Sequence, residues 1–249
     1  MPTFATPEPI SARIDAGEGS IRLIATDRTD TVVEVRPRDP NRQADVRSAE
    51  QARVSYANGQ LAVAPAKFGF LGYRMGAVDI IVKLPSRSRV RAAVASADVH
   101  ADGEFADFDL ASASGSLAAQ SITGQLKAAT ASGGADIGEL DGDVNFSTAS
   151  GSLSLGRLRG RVKSQTASGS VHIAAAVSGA VVAYTSSGAV EVGVPEGSAA
   201  RLDIVTGSGV ITNRLEPSGG PEEGDETLSV KVRTGSGDVD IHRAVATLT

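Results

Sequence analysis

Apolar and polar residues alternate along most of the chain, and from about residue 96 the alternation itself repeats. Aligned on Ser150, apolar positions fall at Leu153, Leu155, Leu158 and Val162, with small Ser164 and Thr166 completing a second arm. The same offsets from Ser132 give Ala135, Ile137, Leu140, Val144, Phe146 and Thr148, and from Ser114 they give Leu117, Ala119, Ile122, Leu126, Ala128 and Thr130. Spacing by two within each arm is the period of a strand, and Val, Ile, Leu and Thr suit its pleated surface. Each repeat predicts two short strands.

The arms are punctuated by a recurring phrase: Ala113-Ser114-Gly115-Ser116, Ala131-Ser132-Gly133-Gly134, Ala149-Ser150-Gly151-Ser152 and Ala167-Ser168-Gly169-Ser170, each 18 residues after the last. A second corner falls at Gly124, Gly142 and Gly160, where a sharp bend needs positive φ or close backbone approach. A fixed period of this length marks a solenoid, in which one short unit is stacked many times to share a core. Upstream, Ser96 opens a matching unit with Val99, Ala101, Phe108, Leu110 and Ser112. Downstream, Ser187-Gly188, Ser208-Gly209 and Ser236-Gly237 follow at intervals of 19, 21 and 28 residues, and the lengthened intervals read as insertions. The largest, residues 216–226, is acidic and rich in Gly and Pro and reads as a mobile loop.

Residues 10 to 84 are strand-rich but less periodic, with runs at Ser20 to Ala25, Thr31 to Arg36, Arg53 to Tyr56, Leu61 to Ala64 and Val78 to Leu84. Ala57-Asn58-Gly59-Gln60 is a hairpin signal, because Asn-Gly accepts the positive φ angles of a type I′ turn. Asp45 to Arg53 carries only a weak helical pattern. The expectation is an all-β chain: a single-stranded β-helix, or solenoid, of about 18 residues per coil over residues 85–249, with residues 1–84 as an N-terminal β-rich cap. A cap answers a physical need, since a bare solenoid end exposes unpaired backbone.

Composition narrows the function classes. A net charge of -5 with interspersed signs offers no basic face to nucleic acid. No apolar run approaches the 18 residues of a membrane span. Zero cysteines exclude disulfides and thiolate chemistry. The start, Met1-Pro2-Thr3-Phe4-Ala5, has neither a basic n-region nor an apolar h-region, so the sequence as written reads as cytoplasmic, reaching a surface only through a removed leader or another export route.

The recurring Thr-Ala-Ser-Gly-Ser phrase, the Asp30-Thr31-Val32-Val33-Glu34-Val35-Arg36-Pro37 strand and the strand-then-proline segments Val82-Lys83-Leu84-Pro85 and Val192-Gly193-Val194-Pro195 together resemble the putative adhesin family of bacterial β-strand-repeat proteins. The resemblance covers nearly the whole chain. It implies a β-repeat fold and display at a cell surface, and it transfers no catalytic residue.

Candidate chemistry is sparse. The densest titratable cluster is Asp98, His100, Asp102, Glu104, Asp107 and Asp109; alternation around Val99 and Ala101 puts the first three on one outward face, where they could hold a metal or act as acid and base on a polysaccharide. The bland alternative is a solvated face. Stacking equal offsets places Glu139 beside Arg157, Asp141 beside Arg159 and Asp143 beside Arg161, which explains many charges as ladders between coils. His100 and His172 share an offset but lie four coils apart, too far to ligate one metal, and His242 looks isolated.

Of the calcium-roll signature, only Gly133-Gly134-Ala135-Asp136-Ile137 comes near. The serines lack a nearby base and read as small corner and core residues whose hydroxyls satisfy local backbone. Phe68, Phe70, Tyr73 and Met75 gather in a Gly-rich stretch as a candidate partner or oligomer surface, or as a plug for an open end. The reading is a non-enzymatic structural or binding module with no metal and no cofactor, its partner a protein, a glycan or a second copy. The alternatives are a β-helical polysaccharide-active enzyme using the acidic cluster, or a homo-oligomeric scaffold.

Overall fold

A computed structural model describes residues 1–65, 76–216 and 226–244. Among the described residues the protein is all-β apart from one short helix, and its chain divides into two compact units, Met1–Thr123 and Gly124–Thr249.

The first unit contains β1 (Thr3–Ala5), β2 (Ser11–Thr26), β3 (Asp30–Pro37), α1 (Gln43–Glu50), β4 (Arg53–Ala57), β5 (Gln60–Ala64), β6 (Val78–Pro85), β7 (Ser88–Ser112) and β8 (Leu117–Ile122). Its hub is β2, whose alternation buries Ala12, Ile14, Ile21 and Leu23. β2 runs parallel to β7 from Ser11 against Arg89 to Ile24 against Asp102. Residues Ser11–Ile14 also pair with β5, and Gly19–Thr26 also pair with β6. A strand has two edges, so β5 and β6 share the edge of β2 that β7 leaves free. The polypeptide thus lays down β2, passes over it, and returns beneath it as β7.

Antiparallel pairing enters where the Asn-Gly signal puts it. β4 and β5 form a hairpin, with Asn58 at φ 50 and Gly59 at φ 74, both in the left-handed region that a type I′ turn requires. β3 pairs antiparallel with β6 and, on its other flank, with β1.

The weak helical pattern does become a helix, and Asp45 explains why. Only 2% exposed, its carboxylate accepts the backbone N–H of Ala77 at 3.1 Å and of Asp39 at 3.3 Å. Ser48 Oγ accepts the N–H of Gly76 at 2.9 Å. The helix is held by polar ties to neighbouring backbone more than by an apolar stripe, so hydrophobic periodicity gives little sign of it.

Between β7 and β8 the register slips by one residue. Ala101 faces Ala119, but Phe105 faces Ile122, with Gly103 at φ +98 in the bulge. The slip turns Phe105 inward, where it packs edge-on against Phe108 with ring centroids 5.9 Å apart. Both rings are buried, and strict counting from Ser96 misses Phe105.

The second unit contains β9 (Gln125–Thr130), β10 (Ala135–Thr148), β11 (Leu153–Thr166), β12 (Val171–Thr185), β13 (Val190–Val194), β14 (Ser198–Thr206), β15 (Ile211–Asn213), β16 (Glu226–Thr234) and β17 (Val239–Arg243). Among the described residues its strand pairs are all parallel. β10 pairs with β11 at one constant offset, from Ala135 against Leu153 to Thr148 against Thr166, with Glu139, Asp141 and Asp143 opposite Arg157, Arg159 and Arg161. β12 follows β11 with a one-residue slip after Leu158.

Beyond β12, spatial order departs from chain order. The second half of β12 pairs with β16, and β16 pairs with β14. In the other arm β12 pairs with β13, β13 with β17, and β17 with β15. The last two strands in sequence therefore lie inside the stack, and β14 and β15 form its edge. The intercalated strands β16 and β17 are packed into the core: Leu228, Val230, Val232, Val239 and Ile241 are all buried.

Candidate functional site

The repeated phrase works as a corner. Thr148 Oγ1 accepts the N–H of Gly151 at 3.0 Å, Thr166 Oγ1 accepts that of Gly169 at 2.8 Å, and in the first unit Ser112 Oγ accepts that of Gly115 at 2.7 Å. The hydroxyl that holds the turn thus comes from the residue three before the glycine, while Ser150 and Ser168 point to solvent. A Cβ on Gly151, Gly169 or Gly188 would collide with the carbonyl of the preceding corner glycine. Corner serine hydroxyls meet one another across coils, Ser96 with Ser114 at 3.3 Å and Ser187 with Ser168 at 3.4 Å.

The acidic cluster lies along β7, and several of its members already have structural partners. Asp98 Oδ1 accepts the N–H of Ser116 at 3.0 Å. Asp102 Oδ2 takes both Nε and Nη2 of Arg22, at 3.1 and 3.0 Å. Glu104 takes Arg87 Nε at 2.8 Å and Asp109 pairs with Arg91 at 3.2 Å. Asp98 and His100 are exposed, as is Asp107 farther along the strand. Among the described residues, no group of three or more His, Cys, Asp or Glu side chains is placed to hold a metal ion.

In the second unit, strand stacking builds an open groove of about 590 Å³. Its floor is one outward column, Ser147, Gln165, Tyr184, Arg233 and Val205, in adjacent positions on β10, β11, β12, β16 and β14. Arg233 is fixed by both oxygens of Asp203, at 2.8 and 2.7 Å, and by the Asp203 carbonyl at 2.9 Å. Hydrogen bonding from Arg233 holds the Asp203 carboxyl below its ordinary value of 3.8 and raises the guanidinium in turn. Equal-offset counting reaches Ser147 and Gln165; Tyr184 joins them through the one-residue slip after Leu158, and Arg233 because β16 is inserted.

His242, which the sequence leaves isolated, has a partner. Glu191 Oε1 lies 3.1 Å from its Nε2, and Glu191 Oε2 lies 3.0 Å from His172 Nδ1. The pairing of β13 with β12 on one side and β17 on the other brings the three together from residues 70 apart in sequence. Arg159, placed opposite Asp141, makes its ion pair at 3.2 Å with Glu226 on β16 instead. Phe68, Phe70, Tyr73 and Met75 lie outside the described residues, as does most of the acidic stretch 216–226. Among the described residues no helix is long and apolar enough to cross a membrane.

Comparison with known proteins bears on fold more than on chemistry. No curated protein is similar enough to count as a relative. Three solved structures align with nearly the whole chain at low identity. One, described as a putative adhesin from Bacteroides fragilis, is 14% identical, with 96% of this chain and 95% of that chain covered and a TM-score of 0.55. A putative adhesin from Parabacteroides merdae is 14% identical over 96% and 94% of the two chains, with a TM-score of 0.44. A putative cell adhesion protein from Clostridium sporogenes is 11% identical over 97% and 98%, with a TM-score of 0.24. Likeness of fold rests on the first of these. The family model described as Toastrack DUF4097, a β-solenoid-like fold, matches residues 11–246, so the chain belongs to that family.

Proposed function

We propose that this chain is a non-enzymatic binding module: a β-solenoid with coils of about 18 residues over 85–249, its N-terminal end closed by residues 1–84. The observation that carries the reading is where the polar groups go. The hydroxyls of Thr148 and Thr166 hold corner glycines, and Asp98, Asp102, Glu104 and Asp109 accept bonds from backbone or arginine. Hydrolysis of a glycosidic bond takes two carboxyl groups flanking that bond, whereas these acids are engaged by separate partners along a strand.

Binding falls to the groove over Gln165, Tyr184 and Arg233. Its volume is in the range of ligand sites, about 300–1,000 Å³, and its column offers an amide, an aromatic face and a fixed guanidinium at roughly 4.8 Å intervals. An extended glycan or peptide suits that geometry.

Adhesin-like naming of the solved relatives agrees with a binding role. The test is a glycan panel assayed for both binding and new reducing ends. Wild-type protein is expected to release none, and Tyr184→Ala to weaken whatever binding is found. Release by the wild type that disappears in the combined Asp98→Ala, His100→Ala and Asp102→Ala variant would instead establish an enzyme.

A further inference from the structure

The edge strands β14 and β15 carry an unusual load. Each pairs with a strand on one side, β16 or β17, and among the described residues with none on the other. Ala200, Leu202 and Ile204 stand over Leu228, Val230 and Val232. Those three lower residues are buried, whereas the upper three are half-buried because no further strand covers them. Ile211, directly over Val239, is 45% exposed, and Val205 and Val210 are 52% and 65% exposed. Three of the five large exposed hydrophobic residues among those described thus sit on this short stretch. Nine-residue β14 has no Pro, Lys, inward-pointing charge or described helix to blunt it, and its two charges, Arg201 and Asp203, point outward.

The charges on the edge indicate what covers it. Arg201 and Asp203 both face outward from β14 and flank Leu202. If a second β14 runs antiparallel about a two-fold axis at Leu202, Leu202 meets its own copy and Ala200 meets Ile204, which continues the core. Arg201 then meets Asp203, and the two-fold makes that pair twice. Any other register about such an axis breaks the charge match or puts Leu202 opposite an outward-facing residue. The link from β15 to β16, residues 214–225, has Leu215, Pro217 and Pro221 as its only apolar side chains.

We propose that β14 and β15 are the docking surface for a second copy of this chain, paired antiparallel across a two-fold axis at Leu202. Such an interface is closed, because each copy uses the same patch, so it yields a dimer and no filament. The inference goes beyond the binding-module reading and does not depend on it.

Sedimentation velocity of the full chain across the micromolar range tests it. The wild type is expected at twice 25.3 kDa. Leu202→Lys places two ammonium groups at the axis and should give a monomer with an unchanged circular dichroism spectrum, since the side chain is half-buried in the single chain. Arg201→Glu alone and Asp203→Lys alone each set like charges opposite one another twice, and each should weaken the dimer by at least about tenfold. Mixed, these two variants restore both pairs, Glu to Lys and Arg to Asp, and should form a heterodimer. A monomeric wild type, a dimer indifferent to these substitutions, or a mass that keeps rising with concentration would each overturn the proposal.

Discussion

The amide of Ser236 donates to the carbonyl of Ser186 at 2.9 Å, although 50 residues separate them in the chain. Between them lie β13, β14, β15 and β16, and the corner after β16 occupies the position directly above the Ser186 corner. Ser208, the corner that comes first in sequence, bonds instead to Gly235 at 3.0 Å. The column of Ser-Gly corners therefore runs Gly188, Gly237, Gly209, each blocked from carrying a Cβ by the carbonyl below it.

That blocking gives a direct prediction for the opposite corner. Gly160 has φ +128, and a Cβ there would meet the Gly142 carbonyl oxygen. Gly160→Ala combines backbone strain with a collision against main chain, and should cost about 3 kcal/mol or more. Gly59, at φ +74, has nothing within 4 Å, so Gly59→Ala should cost only about 1 kcal/mol. Urea unfolding of the two variants measures the difference.

Threonine and serine in the repeated phrase should behave differently. Thr166→Val keeps the shape but removes the acceptor for the buried Gly169 N–H, at an expected cost of about 1–3 kcal/mol. Ser168→Ala alters an exposed side chain and should stay within about 0.5 kcal/mol of wild type. Equal losses from both in thermal and chemical denaturation would contradict the division of roles.

Much of this was legible from alternation and punctuation. The columns that put Glu139 opposite Arg157 and Asp143 opposite Arg161 are the pairs found. The Asn58-Gly59 hairpin is where the turn chemistry places it. What alternation does not encode is which strand neighbours which. One alternating strand fits beside another almost equally well in a parallel ladder, so the neighbours of β2 and β16 are decided by connection lengths and by which apolar faces remain to be covered. Phe105 and the Glu191 bridge between His172 and His242 depend on a bulge and on that strand order, and neither leaves a periodic trace.

Asp45 makes a prediction about the helix. Asp45→Ala strips the acceptor from the buried N–H of Ala77 and from that of Asp39, and should destabilise the first unit by about 2–3 kcal/mol. Asp45→Asn keeps one oxygen acceptor and should recover part of that loss. Hydrogen exchange at Ala77 reads the effect locally.

The Asp203–Arg233 pair sets a pH dependence with a defined sign. The folded-state carboxyl is held below its ordinary value by hydrogen bonding from Arg233, so its contribution to stability is present above pH 3.8 and is lost as pH falls through the lower folded value. Wild type should therefore exceed Asp203→Asn in stability at neutral pH, and the gap should close in acid below 3.8. The pair is exposed, so added salt should narrow the gap as well. A gap that widened on acidification would reverse the sign.

β16 is inserted between β12 and β14, and that insertion leaves β14 and β15 at the edge. The chain has no cysteine, so engineered pairs test it cleanly. Ala180 on β12 faces Ser229 on β16, and Ser229 faces Arg201 on β14. Adjacent strands lie about 4.8 Å apart, within disulfide reach, whereas strands one removed lie at about twice that, beyond it. Under mild oxidation, Ala180→Cys with Ser229→Cys should cross-link, and Ala180→Cys with Arg201→Cys should not, as read by mass spectrometry of the monomer. A cross-link in the second pair and none in the first would mean that β14 lies directly on β12, and would contradict the insertion.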